Sequence, residues 1–228
     1  MTRMRSTRLI GGLMLAFVMM LGIAANGVSA QDATPAPSSS FPVNIIFVNA
    51  MTSLSAVDVY INGDEQEQRV AEGLAYGQAS AEYTGTAPGT VVVVKQNVSW
   101  GVDSWLFNTL IPTQAGGTYV VVISDFILIP VQMDLSASTD GARTIGVHAA
   151  AQAPAVDIYT TPAGQEFSIG NVVPLVSNLS YGHTTTGGFT PAGSYDLRVT
   201  QTGTDTVAFE QTGTTVDAGN SYVYVLIG

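Results

Sequence analysis

The sequence predicts an all-β protein, two tandem antiparallel β-sandwich domains behind an N-terminal signal peptide, and three observations carry that reading. In residues 44–48, 56–61, 90–94, 105–111 and 118–123, apolar and β-branched residues recur at the period of two that sets one face of a strand against a core. Turn chemistry separates the runs at Asn62-Gly63, Ala87-Pro88-Gly89, Ala115-Gly116-Gly117, Gly187-Gly188, Pro191-Ala192-Gly193 and Ala218-Gly219-Asn220. Finally, motifs recur in the same order along the chain. Val57-Asp58-Val59-Tyr60 returns as Val156-Asp157-Ile158-Tyr159, Leu74-Ala-Tyr76-Gly77 as Leu179-Ser-Tyr181-Gly182, and Ala115-Gly-Gly-Thr-Tyr119 as Ala218-Gly-Asn-Ser-Tyr222. Collinear recurrence of this kind reads as tandem duplication.

Taken from the N-terminus, Arg3, Arg5 and Arg8 precede an apolar run over residues 9–25, and Val28-Ser29-Ala30 supplies the small residues of a cleavage site. This is the pattern of a secretory signal over residues 1–30, cut after Ala30. The competing reading is a retained anchor, against which Gly11, Gly12, Gly22 and Gly27 weaken a membrane helix. Residues 31–41 are Pro/Ser-rich and form a flexible linker. The first sandwich then occupies 42–135, a short linker 136–141, and the second sandwich 142–228, each near the size of a small sandwich domain. Within the first, only residues 65–75 suit a helical turn. Residues 119–133 look apolar enough for a span, but Ser124-Asp125 and Pro130 interrupt them, so two consecutive strands are expected and no stable membrane span after signal cleavage. A final strand is expected over 126–135. No counterpart follows residues 220–228, so the second sandwich is expected to present an unpaired edge, twisted and solvated, with docking on the first sandwich or acceptance of a partner's strand as the alternative.

Composition narrows the function. Charged residues make up 11% of the chain, and beyond residue 30 only Arg69, Lys95, Arg143 and Arg198 face 17 acidic residues. Such an acidic chain is a poor ligand for nucleic acid, whose phosphates need Lys and Arg. With no cysteine there is no disulfide framework, thiolate metal site, cysteine nucleophile or lipoprotein attachment.

Residues 147–159, running from Val147-His148-Ala149 through Pro154-Ala-Val-Asp157-Ile-Tyr159, together with Pro191-Ala-Gly-Ser-Tyr195 and Ala218-Gly-Asn-Ser-Tyr222, resemble the domain-of-unknown-function 4397 family. The resemblance covers nearly all of the second repeat and, more weakly, the first, where Asn49 replaces the histidine and Leu54-Ser55 the proline-containing step. It implies an exported Ig-like β-sandwich with no assigned activity.

Candidate chemistry is sparse. A histidine-based hydrolase would have to draw on His148 or His183, with Ser180 and Asp157 the nearest partners in sequence, and no Gly-x-Ser-x-Gly elbow is present. Two histidines without thiols fall short of a zinc site, and the Asn62-to-Glu67 run lacks the spacing of a calcium loop, so no metal and no cofactor is expected. Asp58 and Asp157, each between two apolar strand neighbours, are expected to hydrogen-bond a neighbouring loop. Aromatic residues give the binding candidates. Trp100 and Trp105 flank an expected hairpin turn, and Tyr60 and Tyr159 are expected on the polar strand faces beside Asp58 and Asp157. Asn97-Val-Ser99 and Asn178-Leu-Ser180 match glycosylation acceptors. The sequence therefore points to a secreted or cell-surface protein without enzymatic activity that binds or displays a partner, protein or glycan. A carbohydrate-binding module using exposed tryptophans and a histidine-based hydrolase are the alternatives.

Overall fold

A computed structural model describes residues 18–24, 42–62, 67–86, 90–96, 105–136, 138–185 and 188–228. Its strands are β1 (Val18–Ala24), β2 (Pro42–Asn49), β3 (Ala56–Asn62), β4 (Glu67–Ala75), β5 (Tyr83–Thr86), β6 (Thr90–Gln96), β7 (Trp105–Ile111) and β8 (Thr118–Ile123). They continue as β9 (Leu128–Met133), β10 (Gly141–His148), β11 (Val156–Pro162), β12 (Val176–Leu179), β13 (Gly188–Pro191), β14 (Gly193–Gln201), β15 (Val207–Val216) and β16 (Asn220–Leu226). One 3-10 turn, Ile169–Asn171, is the only helical element among the described residues. The protein is all-β, as its alternation and turn residues predict.

The strands sort into four sheets of four: β4-β3-β6-β7, β5-β2-β8-β9, β13-β10-β16-β1 and β12-β11-β14-β15. Strand order in the first pair of sheets maps onto the second pair, with β2 matching β10, β3 matching β11, and so on to β8 and β16. In both halves the central pair of the inner sheet is parallel, β2 with β8 and β10 with β16, while the remaining pairs are antiparallel. The inner sheets are therefore mixed, and the two outer sheets are purely antiparallel as expected.

Three apolar layers hold the sheets together. Val57, Val59, Val94 and Ile111 meet Ile45, Phe47, Val121 and Ile123 between the first outer and inner sheets. Ile158, Leu179, Leu197 and Val199 meet Tyr224 and Leu226 between the second pair. Between the two inner sheets lies a third layer, in which Val48, Val120, Val122, Ile129 and Val131 pack on Ile145, Val147, Val223, Val225 and Ile227. Both inner sheets are thus buried on both faces. Every residue of β8 is buried, with Tyr119, Val121 and Ile123 turned to one layer and Val120 and Val122 to the other. Continuous apolar runs such as Tyr-Val-Val-Val-Ile are what a doubly covered strand requires. Each buried valine or isoleucine contributes roughly 1.5–3 kcal/mol relative to exposure, so the layer joins the halves strongly.

Three elements differ from expectation. Residues 67–75 form β4, not a helical turn, because Val70, Ala71 and Leu74 pack against the first core from a strand paired with β3. The last strand of the first half begins at Leu128, after a turn in which Ser124 donates its N–H to the Ile127 carbonyl (3.0 Å). The outer edge of β16 is covered by β1, drawn from the apolar run expected to belong to the signal. An unpaired row of backbone groups on a buried strand is costly, and an uncharged apolar segment is what satisfies it.

Candidate functional site

The duplicated carboxylates come first, since they shape both outer sheets. Asp58 on β3 accepts the N–H of Gly73 (2.6 Å), and Asp157 on β11 accepts that of Asn178 (2.7 Å). Both donors sit in the left-handed region, Gly73 at φ 59° and Asn178 at φ 52°, where β4 and β12 slip register against β3 and β11. Glycine adopts that conformation freely, and asparagine is among the side chains that tolerate it best. Asp157 also accepts the Thr202 hydroxyl (2.9 Å) and the Gly203 N–H (3.4 Å). These carboxylates anchor bulges and loops, the role expected of them.

Beyond that shared device the outer faces diverge. On the second, Tyr159 is 3% exposed. It stands edge-on to Phe167, with ring centroids 5.1 Å apart, and Arg198, opposite it on β14, lies over the same Phe167 ring at 5.1 Å. Arg198 donates to Glu210 through Nε (2.7 Å) and Nη2 (2.6 Å), to the Thr161 hydroxyl (2.8 Å), and to Asp196 (3.4 Å). Asp196 also accepts the N–H groups of Gly213 (3.0 Å) and Gly164 (2.9 Å), which hold its carboxyl below the usual range. Burial, and next the Asp157 charge, push the Tyr159 phenol up. The expected exposure of Tyr159 is therefore corrected: residues 163–175, connecting β11 to β12, bring Phe167 across the face and seal it.

On the first outer face the connection from β3 to β4 is only residues 63–66, which lie outside the described residues. Tyr60 is half-buried, and Val93 stands at the register position that Arg198 takes in the second half. Leu110 on β7, paired with Val91, is 62% exposed. Strand alternation sets Asp58, Tyr60, Asn108 and Leu110 on one side, opposite Val57, Val59 and Ile111 of the core. Trp105 opens β7, on the same strand as Leu110. Trp100, the Asn62-to-Glu67 loop at residues 63–66 and the Asn97 acceptor lie outside the described residues.

The histidines occupy the junction of the halves. His148 is fully buried, its Nε2 3.0 Å from the Pro154 carbonyl oxygen, while Nδ1 has no hydrogen-bond partner among the described residues. Burial lowers its pKa, against a smaller raising effect of the Pro154 carbonyl. Its ring stands edge-on to Tyr181 at 6.3 Å, and the Tyr181 hydroxyl meets that of Ser124 from the first half at 2.6 Å. Ser124 also donates to the Ala149 carbonyl (3.2 Å). Next to it, Asp125 accepts four hydrogen bonds from Thr52 and Ser53; desolvation opposes them, yet together they hold its carboxyl below the usual range. His183 is exposed, with Nδ1 3.1 Å from the Tyr181 carbonyl. Both histidines thus meet main-chain carbonyls, and the geometry of this cluster is that of a clasp between halves. Ser124 and Tyr181 were not singled out by sequence; the recurrence of Tyr76-Gly77 as Tyr181-Gly182 was the available signal. A cleft of about 250 Å³ beside the junction, lined by Gln132, Asp134, Arg143, Thr184 and Thr185, is small for an organic ligand.

The strand pattern from β2 through β11 can be set against known families. The profile of a domain of unknown function, DUF4397, matches residues 43–159. The chain belongs to the DUF4397 family. The match takes in the whole first set of strands and the start of the second, so the family's signature lies more heavily on the first half than the motifs quoted above indicated. No curated protein matches the chain. Among solved structures, the chain is similar to the Bacillus anthracis TIE protein at 11% identity and a TM-score of 0.25, covering 81% of this chain and 33% of that one. It is also similar to a leucine-rich repeat protein from Bacteroides thetaiotaomicron at 13% identity and a TM-score of 0.22, covering 83% and 26%. The chain spans about a third or less of the length of these proteins.

Proposed function

We propose that this DUF4397 protein is an exported, non-enzymatic binding protein, built as two tandem Ig-like sandwiches, that engages a partner at the extracytoplasmic surface through the outer face of its first half. One observation carries the reading: of two equivalent sheet faces, the second is sealed by Phe167 and an arginine network, while the first keeps Leu110 62% exposed beside a half-buried Tyr60. Aromatic and aliphatic side chains on a flat sheet, rimmed by polar groups such as Asp58 and Asn108, are suited to recognising a protein or glycan surface. The signal pattern at residues 1–30 and the acidity of the remainder support export and solubility. A glycan partner would draw additionally on Trp105 and Trp100.

The experiment is affinity capture from the native secreted fraction with the chain 31–228, compared with Leu110→Glu, Tyr60→Ala and, as a control on the sealing segment, Val173→Glu at a position 86% exposed. Capture lost in the first two variants and kept in the third supports the reading. Equal capture by all three refutes it. Glycan-array binding that disappears in Trp100→Ala would assign the partner as carbohydrate.

A further inference from the structure

The inner sheets differ at one place, the edge beside β16. On β8 the outermost position is filled by β9 from the same half, whereas on β16 it is filled by β1. β1 pairs antiparallel in unbroken register from Val18 opposite Leu226 to Ala24 opposite Asn220. These seven residues fall inside the apolar run that signal cleavage would remove. Loss of residues 1–30 takes β1 away and leaves one side of β16 without a strand, although Ser221 to Leu226 are all buried when it is present.

We infer that, in the exported chain, the vacated edge of β16 receives an extended, uncharged, aliphatic-rich segment of another protein, added antiparallel in the place that β1 holds. This rests on the reading of residues 1–30 as a cleaved signal. The chemistry of the occupant is set by the strands already seated on such edges. β9 is Leu-Ile-Pro-Val-Gln-Met and β1 is Val-Met-Met-Leu-Gly-Ile-Ala; both are aliphatic-rich, neither carries a charge, and both run antiparallel to the strand they cover. The reason lies in the middle layer. Val223 and Val225 of β16 face the middle layer, so the alternate positions of an added strand that face this layer lie among apolar side chains, as Ile129, Val131 and Met133 of β9 do, while the positions between them, Pro130 and Gln132 in β9, are exposed. A charge at one of those layer-facing positions would be desolvated without a partner. The linker at residues 31–41 does not meet the requirement, because Gln31-Asp32 and Ser38-Ser39-Ser40 are polar or charged and alanine is its largest aliphatic residue, leaving little to face the middle layer. Strand addition of this kind draws its affinity from main-chain hydrogen bonds and its selectivity from alternate side chains.

The test mixes the chain 31–228 with a synthetic peptide of residues 16–26 carrying a lysine tail for solubility, read by fluorescence anisotropy and by amide exchange. One peptide binds per chain, the β16 amides that face the edge gain about tenfold or more in protection, and a Leu21→Pro peptide loses about tenfold or more in affinity. If 31–228 alone does not fold, a protease site inserted after Ala30 in the full chain allows β1 to be cut after folding and exchanged for labelled peptide. Edge amides already protected without peptide overturn the inference, whether a second copy, seen as a dimer by sedimentation, or the chain itself covers them. Peptide binding that leaves β16 unprotected overturns it as well. Mass analysis of the exported protein reads the signal separately: a chain that keeps residues 18–24 refutes cleavage, and with it the vacancy, whatever the peptide does.

Discussion

The two outer sheets start from the same motif, apolar-Asp-apolar-Tyr, and end with opposite surfaces. In the second half the connection from β11 to β12 runs through residues 163–175, long enough to lay Phe167 over Tyr159 and to bury Arg198 beneath it. In the first half the matching connection is residues 63–66, and Val93 takes the place of Arg198. One half of the chain uses that connection to close a face; on the corresponding face of the other, Leu110 is 62% exposed. Loop length and a single buried cation, more than the strands themselves, set the second face apart from the first.

That contrast can be broken most forcefully at its centre. Arg198→Val gives the second face the residue type of the first and strands Asp196 and Glu210 without their cation; a loss of about 3 kcal/mol in denaturant unfolding is expected. Phe167→Ala lifts the cover more gently. About 1–2 kcal/mol is lost with the ring contacts, and Tyr159 becomes iodinated at a rate approaching that of Tyr60. Tyr181→Phe deletes the hydroxyl that meets Ser124 across the junction and costs about 1 kcal/mol, seen as a lower Tm with a single transition retained.

Two finer substitutions exchange residues between equivalent positions. His148→Asn installs the residue that stands at 49. Burial makes the folded chain a weaker proton acceptor than the unfolded one, so below about pH 6.5 the unfolded state takes up a proton that the folded state resists. Stability is therefore full above that range and declines as pH falls through it, and the asparagine variant should flatten this part of the profile of denaturation midpoint against pH. Asn178→Gly copies Gly73 and should change stability by no more than about 1 kcal/mol, because the left-handed backbone is already paid for; Asn178→Val at the same position should cost about 1–2 kcal/mol.

Much of this architecture could be read before any coordinates. Period-two alternation located β2, β3, β6, β7 and β8, and the recurrence of Val-Asp-Val-Tyr and Leu-Ala-Tyr-Gly anticipated matching strand orders in the two halves. β4 was obscured by its charges, since Glu67, Arg69 and Glu72 suit an exposed helix as well as an edge strand, and only pairing with β3 decides between them. The doubly buried inner sheets were signalled by unbroken runs such as Val120-Val121-Val122, yet such a run does not say what covers its second face. Tyr159 was misplaced for a related reason. Alternation put it correctly on the face away from the core, but the cover arrives from Phe167 in a connection whose path no periodicity records. The clasp of Ser124, Tyr181 and His148 joins residues from different halves and carries no local pattern at all.

Because each inner sheet serves as the other's roof, neither half can be excised from the gene without baring Val120, Val122, Val223 and Val225 to solvent. A chain carrying one half alone would expose that apolar layer and be prone to association, and only the pair keeps it covered. The smallest part that keeps every apolar layer covered is accordingly the couple, even though matching strand orders recur in each half.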